Sequence, residues 1–282
     1  MKKVSLGLCL NIFRDYSFEE SLKVAREFGF KTVEPGNIDF SFDQIRIENA
    51  DEDYINALRQ GLDEYSMNIY AFAAHCDMYK ESGFERFLKK YDIGKRLGAN
   101  VIVGKSSPDV KKPEFLDNMQ KVRPMLEKDG LQLVLETSGD LDYSYVNASQ
   151  TIIEMNHPQI KINYDTGNFY FRSQGRIKPC KNLDSSVISN IKYFHLKDIK
   201  DMGNKVVYAP IGSGDIDFDA VVEVLNQTDV THVSLEIPVY LWSSKWETLQ
   251  IGETPLSMDV IKDAVNKSME FLLNRYDCFE LT

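Results

Sequence analysis

The feature that most constrains this chain is a repeated ending, in which a short apolar run rich in β-branched residues stops on chemically active side chains. Four such runs cover residues 131–136, 160–165, 191–197 and 231–236, and carry Glu136, Asp165, His195 and Glu236. A run of this composition predicts a strand that is buried on both faces, as in a parallel sheet. Because charge at the end of a buried strand is costly unless it is used, these side chains are candidates for a functional site.

The rest of the chain continues the alternation of apolar runs with amphipathic segments. Further strands are predicted at residues 4–10, 31–34, 68–74 and 100–103. Helices are predicted at residues 17–28, 51–65, 83–97, 113–129, 147–155, 182–189, 218–225 and 258–276. Ser17 and Glu20 form a capping-box signature, and Pro124 predicts a kink or a break in the fourth helix. Residues 198–215 and 238–255 are predicted to be long irregular loops.

Eight strands that alternate with helices predict parallel pairing through right-handed crossovers. An open doubly wound sheet would serve its ligand from a few strand ends at one switch point. Here the strand-terminal side chains are polar throughout the chain: Glu34, His75, Lys105, Glu136, Asp165, Lys197 and Glu236. So many ends can meet only at the C-terminal face of a closed barrel, so we predict an α/β fold, a single (β/α)8 TIM barrel. No linker interrupts residues 1–282, which predicts one domain.

Composition excludes several classes of function. The formal net charge is −10 and no cluster of Lys and Arg is present, so nucleic acid and anionic membranes are unfavourable partners. No apolar run approaches the roughly 18 residues of a membrane span. The N-terminal segment resembles a signal peptide only weakly, and we interpret it as the first strand. Cys9, Cys76, Cys180 and Cys278 are widely spaced, which is typical of free thiols in a reducing cytoplasm.

Glu136, Asp165, His195 and Glu236 would together supply three carboxylates and one imidazole. Each could instead be an ordinary solvated residue at the start of a loop, but four such residues on consecutive strands make coincidence the weaker explanation. Strands five to eight are adjacent around a barrel, so their end groups can share one coordination sphere. Oxygen ligands with one imidazole suit one divalent metal ion, Mn²⁺, Mg²⁺, Co²⁺ or Zn²⁺, with positions left open for a substrate.

Two glycine-containing motifs follow these strand ends. In the sequence from Tyr164 to Asn168, YDTGN, we interpret the glycine as a tight turn that lets a substrate approach the backbone. The second motif, PIGSGDIDF at residues 210–218, has two interpretations. It is either a flexible connector with a helix cap at Asp215 or Asp217, or a lid whose backbone N–H groups face a phosphate or a carboxylate. It does not lie at the end of the first predicted strand, where a GxGxxG dinucleotide-binding fingerprint would be found.

Taken together, Glu136, DTGN at residues 165–168, HLKD at 195–198, PIGSGDIDF and Glu236 resemble the xylose isomerase-like TIM-barrel superfamily. The most similar pattern within it is that of sugar-phosphate isomerases and epimerases. The resemblance implies one divalent metal ion held at Glu136, Asp165, His195 and Glu236. It further implies that Glu136 and Glu236 are the catalytic acid and base, with a metal-stabilised cis-enediolate between their two proton transfers. The substrate would be a small-molecule sugar or sugar phosphate, and a homodimer or homotetramer is usual among relatives.

The superfamily also contains DNA repair nucleases that hold three metal ions through many histidines. This chain has four histidines, of which only His75 and His195 lie near carboxyl ends of strands. We therefore do not favour a nuclease.

Four further side chains are candidates for binding the substrate: Glu34, His75, Asn168 and Lys197. Each candidate except Asn168 has a plainer alternative. Glu34 could begin the turn at Pro35, His75 could be packed at a strand end, and Lys197 could be solvated and paired with Asp198. Phe13, Trp242 and Trp246 are weaker candidates for an apolar wall beside the sugar carbons.

Two other functions remain compatible with the sequence. One is a metal-dependent dehydratase of the inosose or 3-dehydroshikimate type, a lyase that would expel a β-hydroxyl from the same enolate. The other is a non-catalytic sugar-binding barrel, which would have no use for two bases. The combined prediction is an enzyme of carbohydrate metabolism in the cytoplasm.

Overall fold

The computed structural model describes residues 2–39, 41–48, 50–105, 112–136 and 145–281. Its strands, in chain order, are β1 Val4–Cys9, β2 Thr32–Glu34, β3 Asn68–Ile69, β4 Ala71–Ala73, β5 Val101–Lys105, β6 Gln132–Glu136, β7 Ile160–Asp165, β8 Ile191–Leu196, β9 Asp198–Asp201, β10 Lys205–Ala209, β11 His232–Leu235, β12 Leu241–Ser244, β13 Gln250–Ile251 and β14 Phe279–Glu280. Its helices are α1 Phe18–Glu27, α2 Glu52–Glu64, α3 Glu81–Arg96, α4 Lys112–Asp129, α5 Tyr145–Met155, α6 Thr166–Arg172, α7 Ser185–Ile188, α8 Phe218–Gln227 and α9 Met258–Arg275.

Parallel strands surround the core in the order β3-β2-β1-β11-β8-β7-β6-β5-β4. The two ends of this order, β3 and β4, are separated only by Tyr70, so the chain itself closes the ring. The Tyr70 carbonyl accepts hydrogen bonds from the N–H groups of both Asn100 and Val101, which continues the pairing toward β5. The predicted barrel is therefore confirmed, with the third of its eight positions split into two short strands.

The helices follow their sequence signals closely. Ser17 and Glu20 form both hydrogen bonds of a capping box at the start of α1. α4 contains Pro124 but is not split by it, and α7 is shorter than predicted. Among the described residues, none of the helices combines the length and the apolar character needed to cross a lipid bilayer. All four cysteines are buried and unbridged.

A second sheet corrects the prediction of two irregular loops. Strands β9, β10, β12 and β13 pair antiparallel in the order β13-β12-β10-β9. They lie in the two segments, 198–215 and 238–255, that follow β8 and β11. A signal for strand β10 was present in the sequence, because Val206, Val207 and Tyr208 form a β-branched and aromatic run. Its partner β12 has four residues. The carboxyl ends of two neighbouring barrel strands thus lead into this sheet, which places it beside the barrel mouth.

The period of a β-strand explains which side chains reach the inside of the barrel. Successive side chains alternate between faces, so residues two apart share one face. Tyr193 on β8 and Val134 on β6 belong to a small buried cluster with Ala71, Val101 and Val103. Two residues further along the same faces lie His195 and Glu136. The apolar filling of the barrel therefore ends in ionisable groups at its C-terminal face.

Candidate metal centre

The four side chains predicted to bind a metal meet at the barrel mouth. Glu136, Asp165, His195 and Glu236 are each at most 4% exposed. One ligand atom from each lies within 4.8 Å of the corresponding atom of every other. Glu136 lies on β6, Asp165 on β7 and His195 on β8, and Glu236 directly follows β11. These four strands are consecutive in the barrel. This buried cluster could hold a metal ion.

One nitrogen atom is the centre of the cluster. Nδ1 of His195 lies 2.9 Å from Glu136 Oε2, 2.6 Å from Glu236 Oε2 and 3.7 Å from Asp165 Oδ2. A ring nitrogen carries at most one proton, so it cannot serve three carboxylate oxygens at once. Glu236 Oε2 accordingly has no well-aligned hydrogen bond among the described residues. A cation bound between this nitrogen and the three carboxylate oxygens would satisfy all three oxygens together.

Glu34 contacts the other nitrogen of the same ring, a role that the sequence alone did not indicate. His195 Nε2 lies 2.9 Å from Glu34 Oε1, and the Tyr193 hydroxyl donates to Glu34 Oε2 at 3.0 Å. A carboxylate on one ring nitrogen is the usual way in which proteins orient a metal-binding histidine toward its ion. Glu34 is fully buried, and its predicted alternative role at the start of a turn does not describe these contacts.

Lys197 is a second correction. Its predicted alternative was a solvated lysine paired with Asp198, but its ammonium group is buried and lies 2.7 Å from Asp165 Oδ2 and 2.8 Å from Glu236 Oε1. Burial would lower the pKa of Lys197, but Asp165 and Glu236 outweigh burial and raise the pKa well above its usual value. Lys197 is therefore a permanent cation inside the cluster.

Two amides hold the outer oxygens of the glutamates. Asn168 Nδ2 donates to Glu136 Oε1 and to Asp165 Oδ2, both at 2.8 Å. Asn11 Nδ2 donates to Glu236 Oε1 at 2.7 Å. Asn11 was not among the predicted site residues, although it follows β1 as the other polar groups follow their strands.

The charges of the cluster fit a divalent cation. Four buried carboxylates, from Glu34, Glu136, Asp165 and Glu236, face one lysine and one imidazole, so at least two negative charges are unbalanced. Such a deficit is costly in a buried site. Three oxygens and one nitrogen are also the donor types that Mg²⁺, Mn²⁺, Co²⁺ and Zn²⁺ accept.

The pKa values reflect the same competition. Burial would raise the pKa of Glu136, but His75, Lys197 and His195 hold the pKa well below its usual range. Burial is likewise outweighed at Glu236 by Lys197 and His195, which lower its pKa to about 2. At Asp165 burial prevails over Lys197 and raises the pKa. Burial would lower the pKa of His195, but Glu34 and Glu236 raise it well above its usual value, so a proton would compete with any metal ion for this ring.

His75 lies at the edge of the cluster. Its Nε2 is 3.7 Å from Glu136 Oε2 and has no hydrogen-bond partner among the described residues. The ring faces a cavity of about 250 Å³ that Asn168, Lys105 and Arg172 also line. This volume is slightly below the range of about 300–1,000 Å³ that is typical of small-molecule sites. The cavity therefore suits a compact polar ligand. Glu136 does not line it, but two of its lining residues, His75 and Asn168, approach Glu136.

The two glycine motifs do not approach a ligand in the predicted way. Gly167 lies in α6, where an added Cβ would be 2.5 Å from Lys197 Cβ, so the glycine permits close packing rather than a turn. In the second motif the N–H groups of Gly212, Gly214 and Ile216 do bind a carboxylate, but it is that of the chain's own Asp198. These amides are therefore committed to an internal anion.

The three aromatic residues predicted to form an apolar wall do not meet at this cavity. Phe13 is fully buried in the hydrophobic core. Trp246 packs against Tyr170 and Phe171, and the Lys205 ammonium lies 4.6 Å from the centroid of the Trp242 ring. None of the three lines the cavity that His75 faces.

Comparison with known proteins agrees with this architecture. A family model described as xylose isomerase-like TIM barrel matches residues 22–263. No sequence among the curated proteins matches the chain. Solved structures match over nearly the full length, although at low sequence identity.

Three of these structures illustrate the range. The probable 3-DHS dehydratase AsbF of Bacillus anthracis, involved in petrobactin synthesis, has a TM-score of 0.69 at 18% identity, covering 98% of this chain and 100% of the other. A xylose isomerase domain containing protein from Salmonella typhimurium LT2 has a TM-score of 0.69 at 16% identity, covering 97% and 98%. A D-allulose 3-epimerase from Methylomonas sp. has a TM-score of 0.64 at 14% identity, covering 98% and 99%. These likenesses show a shared fold.

Proposed function

The chain belongs to the xylose isomerase-like TIM-barrel family, and we propose that it is a divalent-metal-dependent isomerase or epimerase of a ketose or ketose phosphate. One observation carries this proposal. Glu136 and Glu236 approach the same histidine nitrogen from β6 and from the end of β11, which lie on the two sides of β7 and β8. Two bases around one cation site are what proton removal and return at neighbouring positions of a sugar require.

The metal ion would be held by Glu136 Oε2, Asp165 Oδ2, His195 Nδ1 and Glu236 Oε2. When bound, it would supply the positive charge that stabilises a cis-enediolate and acidifies the carbon next to the substrate carbonyl. Glu34 would keep the His195 ring in place through Nε2.

Glu136 and Glu236 would move the protons. The low pKa of each carboxyl keeps it ionised near neutral pH, so either is available to accept the first proton. One glutamate would remove the proton from the substrate. The other would take up a proton from water and deliver it to the enediolate, and exchange with solvent would restore both carboxylates. Return to the same carbon from the opposite side is epimerisation, and return to the adjacent carbon is isomerisation.

The substrate would occupy the cavity lined by His75 and Asn168, and would extend from there toward Glu136. Burial lowers the pKa of His75, so its neutral ring can exchange a hydrogen bond with a sugar hydroxyl. Both N–H groups of Asn168 already donate to carboxylates, and its Oδ1 accepts one hydrogen bond from Tyr208, so one lone pair remains. Asn168 would therefore accept from a substrate hydroxyl and could not donate to one. Lys197 would hold Asp165 and Glu236 rather than contact the sugar.

A second candidate is a metal-dependent dehydratase of the inosose or 3-dehydroshikimate type. The structural similarity to a probable 3-DHS dehydratase favours it. The same base would form the enolate, and the other glutamate would protonate a departing β-hydroxyl, so that water is lost.

Incubation in deuterated water separates these functions. The Mn²⁺-loaded protein is mixed with D-ribulose, D-xylulose, D-fructose, D-tagatose, their terminal phosphates and 3-dehydroshikimate, and products are followed by NMR. Deuterium incorporation without loss of water is expected for at least one ketose or its phosphate. Loss of water without an epimer or isomer would favour the dehydratase. Binding of a ketose with neither reaction would contradict both enzyme proposals. Glu223→Gln, at an exposed position on α8, is the matched control and should behave as wild type.

A further inference from the structure

Tyr208 reaches the cluster from outside the barrel. It lies on β10, in the antiparallel sheet, and is 3% exposed. Its hydroxyl donates to Asn168 Oδ1 at 3.1 Å. Burial raises the pKa of Tyr208, so the hydroxyl keeps its proton and remains a donor.

This hydrogen bond fixes one orientation of the Asn168 amide. In the orientation observed, Oδ1 faces the Tyr208 hydroxyl and Nδ2 faces Glu136 Oε1 and Asp165 Oδ2. A rotated amide would place its oxygen against two carboxylate oxygens. The Tyr208 hydroxyl and the two carboxylates therefore favour the same orientation of the amide, and each contact supports the others.

The position of Tyr208 is itself fixed by the surrounding structure. On β10, Tyr208 pairs with Ile199 of β9, and β9 begins at the buried Asp198. The ring stacks on Phe171 of α6 at a centroid distance of 6.4 Å. Glycine at position 167 lets α6 approach closely, because an added Cβ would lie 2.5 Å from Lys197 Cβ and 3.1 Å from Tyr208 Cε1. The hydroxyl is thus held against α6, the helix that carries Asn168.

We propose that Tyr208 is a positioning residue of the metal centre and acts through Asn168. It holds the amide, and the amide holds Glu136 through Oε1, which leaves Glu136 Oε2 toward His195 Nδ1. The same amide holds Asp165 through Oδ2, the oxygen that lies 3.7 Å from His195 Nδ1. The inference rests on the proposed metal binding and is independent of which reaction the protein catalyses. It gives the antiparallel sheet a role in the site.

Metal titration of wild type and three variants tests this proposal. Mn²⁺ affinity is measured by isothermal titration calorimetry for wild type, Tyr208→Phe, Asn168→Ala and the double variant. Outer partners of metal ligands typically contribute about 10–100-fold to affinity. We expect Tyr208→Phe to weaken binding about tenfold and Asn168→Ala to weaken it at least as much. The double variant should be no weaker than Asn168→Ala, because the two residues act in series.

A matched control and a spectroscopic readout complete the test. Tyr91→Phe removes another tyrosine hydroxyl that donates to a carboxylate, Asp129, and should leave the affinity unchanged. The visible absorption of bound Co²⁺ should change in Tyr208→Phe, which loss of fold stability alone would not cause.

Three outcomes would overturn the inference. The first is a Mn²⁺ affinity of Tyr208→Phe within about twofold of wild type, and the second is a double variant whose loss equals the sum of the two single losses. The third is an unchanged Mn²⁺ affinity in Asn168→Leu, which removes the amide donors of Asn168. This third variant keeps the proposal testable if Tyr208→Phe folds poorly. Failure of wild type to bind Mn²⁺ or Co²⁺ would instead contradict the metal centre itself.

Discussion

Two buried carboxylates beside the barrel mouth are stabilised in opposite ways. Asp198 accepts hydrogen bonds from four backbone N–H groups, one from residue 199 and three from the loop at residues 212–216, at 2.8–3.2 Å. Glu236 is surrounded by side chains, namely Lys197 at 2.8 Å, His195 at 2.6 Å and Asn11 at 2.7 Å. Both residues are nearly inaccessible to solvent.

We therefore expect a structural role for Asp198 and a chemical role for Glu236. Backbone N–H groups hold Asp198 and join the start of β9 to the glycine-rich loop. The partners of Glu236 are side chains, which a metal ion would join or replace in the proposed function.

The largest expected effect is on proton transfer. Glu136→Gln and Glu236→Gln should each reduce deuterium exchange into a ketose substrate by about 10²–10⁴-fold, because the amide cannot act as a base. Asp198→Asn should retain exchange within about tenfold, since Asp198 contacts no reacting group in this proposal. NMR of the exchange reaction measures all three variants. Equal losses in Asp198→Asn and Glu236→Gln would remove the distinction.

The next effect is on the free energy of unfolding, where the change at Asp198 should cost more than the change at Glu236. Asp198→Ala leaves four buried N–H groups without their acceptor, and should lower the free energy of unfolding by about 3 kcal/mol. Glu236→Gln keeps an acceptor and a hydrogen-bonding side chain, and should cost less than about 1 kcal/mol. Urea unfolding followed by circular dichroism gives both values. A larger loss in Glu236→Gln would contradict the structural role assigned to Asp198.

Metal binding should stabilise the folded protein through the cluster and not through Asp198. Free Mn²⁺ at a hundredfold excess over its Kd should raise the free energy of unfolding by about 2.7 kcal/mol, because only the folded chain presents the site. The same increment is expected in Asp198→Asn, and little or none in Glu236→Gln. Thermal unfolding with Mn²⁺, and again after addition of a chelator, measures the increment. An equal increment in Glu236→Gln would exclude this residue as a ligand.

The smallest effect concerns pH, and the two carboxylates should give opposite slopes. Burial raises the pKa of Asp198 to about 6, against the N–H groups that lower it. Its contribution is complete below its unfolded pKa of about 3.9 and is lost as the pH rises through about 6. Burial would raise the pKa of Glu236, but Lys197 and His195 lower it to about 2. Its contribution is present above about pH 4.3 and is lost as the pH falls toward 2.

Urea unfolding of the metal-free protein between pH 4 and 7 measures the first slope, which should not exceed about 1.4 kcal/mol per pH unit. Asp198→Asn should flatten it. A slope that persists in this variant would assign the effect to another group.

Much of the fold and the position of the site could be predicted from the sequence. Buried parallel strands leave a strong apolar signal, and their ends must face one edge of the barrel, so Glu136, Asp165, His195 and Glu236 were predicted to meet. Their roles as metal ligands and bases stay predictions. So do the single domain over residues 1–282, the cytoplasmic location and the homodimer or homotetramer.

The contacts between loops could not be predicted in the same way. Under one of the two interpretations of this loop, the Gly212 and Gly214 amides would face a phosphate or a carboxylate of a ligand, whereas Asp198 supplies the carboxylate from 14 and 16 positions earlier in the chain. Tyr208 and Asn168 are 40 residues apart. Such pairings depend on how loops fold over the barrel, and no local periodicity records them.

The ammonium group of Lys197 bears on how the proposed metal ion would be held. Two carboxylates of the cluster already share this resident cation. The proposed ion would therefore have to neutralise only the charge that Lys197 leaves over, and its departure would leave Asp165 and Glu236 with a charged partner.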